Sequence, residues 1–186
     1  MSIVERGDIV DYQTYEALRA EFQKEVFPTK AVRRIRVGEW FNFLFENPVT
    51  IRYQIQEMMR VEKIVREDAI LHELNTYNGL LGGDGELGCS LLIEIEDVED
   101  RDVKLREWIE LPEHIYALLP DGTKVRPSFD EGQRGRDRLS SVQYIKFRVG
   151  STPPTVIGVD LPGIECETAL TEQQKAALQE DLVSVG

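Results

Sequence analysis

Residues 31–62 read AVRRIRVGEWFNFLFENPVTIRYQIQEMMRVE, and this stretch decides the fold because it changes from strand signals to helix signals at one point. Its first half is rich in β-branched and aromatic residues and is interrupted by Gly38-Glu39, which predicts two strands joined by a tight turn. Asn47-Pro48 ends the second strand, because proline cannot donate to a strand ladder and suits the first turn of a helix. Residues 49–66 include strong helix formers and no glycine, so we expect the longest helix there.

The elements on both sides of this stretch follow from similar signals. Upstream, apolar residues at three- and four-residue spacing predict a surface helix from Tyr15 that ends near Pro28. Downstream, residues 67–77 predict a second helical piece, and Asn78-Gly79 is typical of a left-handed C-cap. The other predicted elements are a loop over 80–88, strands over 89–95, 114–119, 123–127, 141–149 and 156–159, and helices over 98–109 and 171–182.

The order of these elements indicates the fold class. Strands and helices mix without a regular βαβ alternation, which favours a mainly antiparallel sheet with helices packed against it over a doubly wound parallel sheet. No linker is long enough to separate two domains. We therefore predict one α+β domain over residues 1–186, with residues 151–186 forming a C-terminal strand and helix extension.

Composition excludes several classes of partner. The chain has 186 residues and a formal net charge of −12, which disfavours the counterion-release binding on which nucleic-acid affinity depends. No apolar run approaches the roughly 18 residues that a membrane span needs. The N-terminus has no signal-peptide pattern. We therefore expect a soluble cytoplasmic protein that binds neither nucleic acid nor membrane.

Motifs of established chemistry are weak or absent. Residues 83–88 fit GxGxxG, but they follow a predicted helix and open a strand, the reverse of a dinucleotide-binding loop. The chain has two histidines, and neither forms a Glu-x-x-His pair, so we expect no metal and no cofactor. A Cys89–His114 catalytic pair stays open, since neighbours in space need not be neighbours in sequence.

The helix predicted at 49–66 carries the main candidate site. Helical spacing places Tyr53, Glu57 and Arg60 on one polar stripe beside an apolar face. Glu73 and Asn78 on the next helix could converge with them. A solvated stripe with one Glu57–Arg60 ion pair is the simpler interpretation; the alternative is a ligand site made of all five residues.

The same helix also carries a resemblance to a known family. The chain resembles an uncharacterised bacterial domain-of-unknown-function family, and the helix motif is long enough to be specific. The residues that carry the resemblance are Glu46, Asn47, Thr50, 52–58, Arg60, Glu62, 73–78, 91–94, 141–144 and 158–162.

The resemblance implies a cellular setting but no activity. Members are often encoded beside rubrerythrin-like proteins and an iron–sulfur oxidoreductase, which suggests redox or oxidative-stress physiology. The family pattern has histidine where this chain has Gln143 and Leu161, so a metal site built on those histidines would be lost here.

Three hypotheses remain open from the sequence. The first is a non-catalytic accessory or adaptor protein that binds a redox partner through an acidic face. The second is a small-molecule or metal-binding module that uses the helix pair over residues 50–78. The third is an enzyme of unknown reaction that uses the same residues, for instance Glu57 as a proton acceptor oriented by Arg60.

Overall fold

The computed structural model describes residues 3–183, with residue 131 described by its backbone alone. The described residues form six α-helices, of which α5 is a single turn, and nine strands. The helices are α1 (Tyr12–Ala31), α2 (Pro48–Glu62), α3 (Glu67–Asn78), α4 (Val98–Glu107), α5 (Leu111–His114) and α6 (Glu172–Val183). The strands are β1 (Arg34–Val37), β2 (Phe41–Phe45), β3 (Glu86–Ile93), β4 (Ile115–Leu118), β5 (Lys124–Val125), β6 (Ser128–Phe129), β7 (Val142–Arg148), β8 (Val156–Val159) and β9 (Cys166–Ala169).

The strands form two antiparallel sheets. Sheet A has the order β1-β2-β3-β7-β6, and sheet B has the order β5-β4-β8-β9. The predicted α+β class with mainly antiparallel pairing is therefore confirmed. The strands form two sheets rather than the one predicted, because β4 pairs with β5 and β8 and not with a strand of sheet A.

The main hydrophobic core lies on one face of sheet A. Phe41, Phe43 and Phe45 of β2 are fully buried there, together with Trp108 and residues of sheet B. Because successive side chains of a strand point to opposite faces, the residues between these phenylalanines belong to the other face of sheet A. That second face carries Leu44, Ser90 and Tyr144 at paired positions of β2, β3 and β7, and the candidate site lies on it.

The first helix is longer than the sequence predicts. Helix α1 runs from Tyr12 to Ala31, so it continues past Pro28, and its 20 residues make it longer than α2 with 15. Pro28 has no amide hydrogen to donate, but the Val32 amide donates to the carbonyls of Pro28 and Lys30 and closes the last turn.

Helix α2 ends earlier than predicted. It stops at Glu62 because Lys63 adopts the left-handed conformation with φ 52°. At its start, Asn47 caps the helix: the Asn47 side chain accepts from the Thr50 amide, and the Thr50 hydroxyl accepts from the Asn47 amide. This reciprocal cap fixes the direction in which α2 leaves sheet A.

The glycine-rich segment after α3 differs from the predicted loop in two ways. Strand β3 already begins at Glu86, and Gly79 ends α3 with φ −60°, so the predicted left-handed cap is wrong. Gly88 of β3 lets the segment after α3 approach this strand closely, since a Cβ at this position would meet the Leu80 carbonyl oxygen at 1.9 Å. The absence of a side chain lets the end of α3 lie directly on β3.

The C-terminal part of the chain is joined to the rest by a buried ion pair. Arg33 Nε and Nη2 donate to the two carboxylate oxygens of Asp181 on α6 at 2.8 and 3.0 Å. Both side chains are about 93% buried or more, so the bidentate pair is shielded from water. Residues 184–186 of the predicted extension lie outside the described residues.

Candidate functional site

The predicted polar stripe of α2 packs against α1. Glu57 Oε1 accepts hydrogen bonds from the Tyr15 hydroxyl and from Arg19 Nε, both at 2.6 Å. Arg60 Nη2 donates to Glu57 Oε2 at 3.2 Å. Tyr53 is also buried and accepts from Gln23 of α1. The structure thus brings Tyr53, Glu57 and Arg60 together as an interface between two helices.

This environment makes Glu57 a weak proton acceptor. The hydrogen bonds from Arg19, Tyr15 and Arg60 outweigh partial burial and hold the pKa of Glu57 at about 2. A general base works best when its pKa lies near the operating pH. The contacts of Glu57 therefore favour a structural role for this carboxylate.

Glu73 and Asn78 do not join this group. Within residues 3–183, no hydrogen bond or ion pair connects either of them with Glu57 or Arg60. Asn78 instead bonds both backbone groups of Val4, donating to its carbonyl and accepting from its amide, each at 2.9 Å. Asn78 thereby holds the N-terminal segment, and Glu73 is half-buried on α3.

The remaining candidates from the sequence are dispersed. Cys89 is buried in the core of sheet A, whereas His114 faces Asp160 at 3.3 Å beside sheet B. Gln143 is buried and donates to the Ser140 carbonyl, and Leu161 packs against the main core. Within the described part of the chain, no group of three or more His, Cys, Asp or Glu side chains is placed to hold a metal ion.

A different site lies on the second face of sheet A, between that face and the helices α2 and α3. It is a cleft of about 230 Å³, which we call the Glu46 cleft. Its walls are mostly apolar and aromatic, with a few polar groups. The lining residues are Glu46, Ile51, Gln54, Tyr77, Leu80, Ser90, Leu92, Val142 and Tyr144.

Glu46 is positioned by three elements that meet at the inner end of the cleft. It follows β2 directly, and its amide extends the strand ladder by donating to the Gly88 carbonyl at 2.9 Å. The Thr50 hydroxyl on the first turn of α2 lies 2.5 Å from Glu46 Oε2, and the Ser90 hydroxyl on β3 donates to Oε1 at 2.7 Å. The carboxyl group is therefore fixed in orientation although it is only 8% exposed.

Glu46 differs from Asp181, the other buried carboxylate among residues 3–183, in its hydrogen-bond partners. Burial raises the pKa of both groups; at Glu46 the hydrogen bonds from Thr50 and Ser90 offset that rise only in part. No arginine or lysine lies within 4 Å of the Glu46 carboxylate among residues 3–183; Lys30 and Arg34 act on it from a longer distance. A buried carboxylate without a cation beside it can take up a proton or bind a positive group.

Thr50 can satisfy Glu46 in either protonation state. Its hydroxyl oxygen lies 3.0 Å from the Asn47 carbonyl as well as 2.5 Å from Glu46 Oε2. With Glu46 ionised, the Thr50 proton points to the carboxylate. With Glu46 protonated on Oε2, Thr50 can accept from it and donate to Asn47 instead. The site therefore tolerates gain and loss of a proton without leaving a hydroxyl unpaired.

A wider groove adjoins the Glu46 cleft. This outer groove has a volume of about 380 Å³ and shares Leu80 and Tyr144 with the cleft. It adds the charged side chains of Asp130 and Lys146 at its outer part. The outer groove lies within the range of roughly 300–1,000 Å³ found for small-molecule sites, and the Glu46 cleft, at about 230 Å³, is smaller than that range.

Sequence reasoning missed Glu46 as a site residue, although two signals pointed to it. An acidic residue directly follows the apolar strand Phe41–Phe45, which is buried along its whole length. Ser90 is a single hydroxyl within the otherwise apolar run of residues 89–93. Each pattern suggests a buried polar group, but only the pairing of β2 with β3 shows that the two side chains meet.

The fold and this cleft define a class: an α+β protein with two antiparallel sheets and a carboxylate at the inner end of a cleft under a helix pair. No helix in residues 3–183 has the length and apolar character needed to cross a membrane. The chain belongs to the family described as "Protein of unknown function (DUF3501)", whose model matches residues 3–182. The resemblance found in the sequence is thereby confirmed at the level of an uncharacterised domain family.

A solved structure supports the same assignment. The chain is similar to a crystal structure of a novel protein of unknown function from Burkholderia pseudomallei K96243, with 27% sequence identity and a TM-score of 0.89. The match covers 97% of this chain and 100% of that chain. Among curated proteins, none matches this chain significantly.

Proposed function

We propose that this chain is a small-molecule-binding protein that holds its ligand in the Glu46 cleft. The observation that carries the proposal is the Glu46 carboxyl group, buried and oriented by two hydroxyls at the inner end of an apolar cleft. Concave apolar sites with a few convergent polar groups and a perturbed carboxyl are typical of ligand sites.

The energetic argument rests on the cost of burying Glu46. A buried charge without a charged partner costs several kcal/mol, and an apolar residue in its place would make the fold more stable. A carboxylate kept at such a position therefore suggests a function other than stability. A ligand that reaches Glu46 would compensate this cost when it binds. The Tyr53–Glu57–Arg60 stripe then supports the site indirectly, because it attaches α2 to α1.

The test is a binding screen with a variant that fills the cleft. We expect at least one member of a panel of small aromatic amines, alcohols and carboxylates to shift the amide NMR resonances of Tyr77, Ser90 and Tyr144. The variant Val142→Trp should abolish these shifts, since Val142 lines the cleft. Val103→Trp is the matched control, because Val103 is exposed on α4, and it should bind like the wild type.

Two results would contradict the proposal. The first is a panel in which no compound perturbs the cleft resonances of the wild type. The second is binding of equal strength to wild type and to a Val142→Trp protein whose melting curve shows a normal fold. Either result would mean that the cleft is a packing defect rather than a binding site.

The accessory role expected from the sequence is the second candidate function. It is favoured by the net charge of −12 and by the exposed acidic residues of segment 94–102, which offer an anionic surface to a basic partner. A rubrerythrin-like protein and an iron–sulfur oxidoreductase are the partners to test first. Surface plasmon resonance at low and high salt should show binding that weakens with salt; no binding at low salt would reject this role for these two partners.

A further inference from the structure

Among residues 3–183, the lining of the Glu46 cleft carries a negative charge and no positive charge. Of the nine residues that line the cleft within the described chain, Glu46 alone carries a charge. Each carboxylate oxygen has one neutral hydroxyl partner, Thr50 or Ser90. Hydroxyls orient an ionised carboxylate but supply no positive charge, so the cleft lacks the counter-charge that buried carboxylates normally have.

We propose that the ligand of the Glu46 cleft is an organic amine, with its ammonium group on Glu46 and an apolar body along Tyr77 and Tyr144. This inference rests on the proposed function and names the chemical class of the ligand. An ammonium would form charge-assisted hydrogen bonds to the carboxylate, which are stronger than bonds between neutral groups. An anionic ligand would be repelled by Glu46 and would leave the buried charge uncompensated.

The walls of the cleft fit the rest of such a molecule. Ile51, Leu92 and Val142 offer apolar contacts, and the tyrosine rings can interact favourably with a nearby cation through their faces. The outer groove adjoins the cleft at Leu80 and Tyr144. We therefore expect a body longer than a single ring to extend toward that groove.

The experiment compares three probes of similar shape on the full chain: 2-phenylethylamine, 2-phenylethanol and phenylacetate. Dissociation constants are measured by NMR titration of the wild type and of Glu46→Gln. In the wild type we expect the amine to bind at least about tenfold more tightly than the alcohol, and phenylacetate to bind most weakly. Glu46→Gln, which retains the shape of the side chain, should weaken amine binding by about tenfold and change alcohol binding by less than about threefold.

A second measurement does not depend on the variant folding. With glutamate side chains labelled with ¹³C, the carboxyl resonance of Glu46 in the wild type should shift on addition of the amine and much less with the alcohol. An amine that binds without shifting this resonance would overturn the inference.

The outcomes separate this inference from the proposed function. Should the alcohol or phenylacetate bind the cleft more tightly than the amine, and Val142→Trp abolish that binding, the ligand class is wrong and the binding function stands. Should no probe in the wider panel bind the cleft, both proposals fail. An amine preference that persists in folded Glu46→Gln also overturns the inference, because the selectivity then comes from another group.

Discussion

Removing the Glu57 carboxylate should destabilise the protein far more than removing Arg60, although both belong to the same predicted stripe. Glu57→Ala deletes the acceptor shared by the Tyr15 hydroxyl, Arg19 and Arg60. Arg60→Ala deletes one hydrogen bond of 3.2 Å and a longer contact to Glu16. The two variants therefore test which group carries the attachment of α1 to α2.

The magnitude follows from what each change leaves behind. Tyr15 is fully buried, and an unpaired buried hydroxyl costs about 1–3 kcal/mol. Arg19 is partly exposed and can be rehydrated once its partner is gone. Adding the lost charge-assisted bonds, we expect Glu57→Ala to lower the free energy of unfolding by about 2–4 kcal/mol.

The expected effect of Arg60→Ala is smaller for a structural reason. Its ion pair with Glu57 is an i,i+3 contact on one helix, which contributes about 0.2–0.5 kcal/mol. Its Nε is buried without an acceptor among the described residues, so part of its burial is already unfavourable. We expect a loss of about 1 kcal/mol or less.

Urea titration followed by circular dichroism measures both variants against a matched control. Glu21→Ala serves as that control, because Glu21 is an exposed residue of α1 whose ion pair among the described residues is an i,i+3 contact with Lys24; it should change stability by less than about 0.5 kcal/mol. Glu57→Ala within that range, or Arg60→Ala costing more than Glu57→Ala, would refute the reasoning.

Three further results are expected. Asp181→Ala, which leaves Arg33 buried without its partner, should cost about 3–5 kcal/mol in urea unfolding, and the double change Arg33→Met with Asp181→Leu should recover most of it. The contacts of Glu57 lower its pKa from 4.5 to about 2, so the stability that it contributes is present above pH 4.5 and is lost as the pH falls toward 2. Glu57→Gln should therefore make the melting temperature depend less on pH between about 4.5 and 2. Burial raises the pKa of Glu46 above 4.5, so the fold loses stability as the pH rises from about 4.5 through that raised pKa. Glu46→Gln should therefore raise the melting temperature at neutral pH, and the gain should vanish below about pH 4.5.

The local elements of the fold could be predicted from sequence because their signals are local. The change from strand to helix at Asn47-Pro48 and the strand at residues 156–159 are found where the patterns predict them. The division into two sheets could not be predicted, because it depends on which strands pair over long distances. Pro28 predicts a helix end, but α1 continues for three more residues and the Val32 amide closes its last turn.

The candidate site shows the same limit. Helical spacing correctly placed Tyr53, Glu57 and Arg60 on one face, but their partners Tyr15 and Arg19 come from a helix about 40 residues earlier. Spacing within α2 gives no information about that helix. A ligand site and a helix interface therefore look alike in the sequence of α2 alone.

A comparison of three carboxylates near the ends and faces of α2 separates the structural from the functional interpretation. Asp181 is held by a bidentate arginine, and Glu57 is held by Arg19 and Arg60 together with a tyrosine. Glu46 is as deeply buried as Asp181 but has only hydroxyl partners. Glu46 also connects two elements, through Thr50 of α2 and Ser90 of β3, but among the described residues it does so without an arginine, and it lines a cleft. The proposed role of Glu46 as the anchor of an amine accounts for this difference, because the ligand would then supply the cation that Arg33 supplies to Asp181.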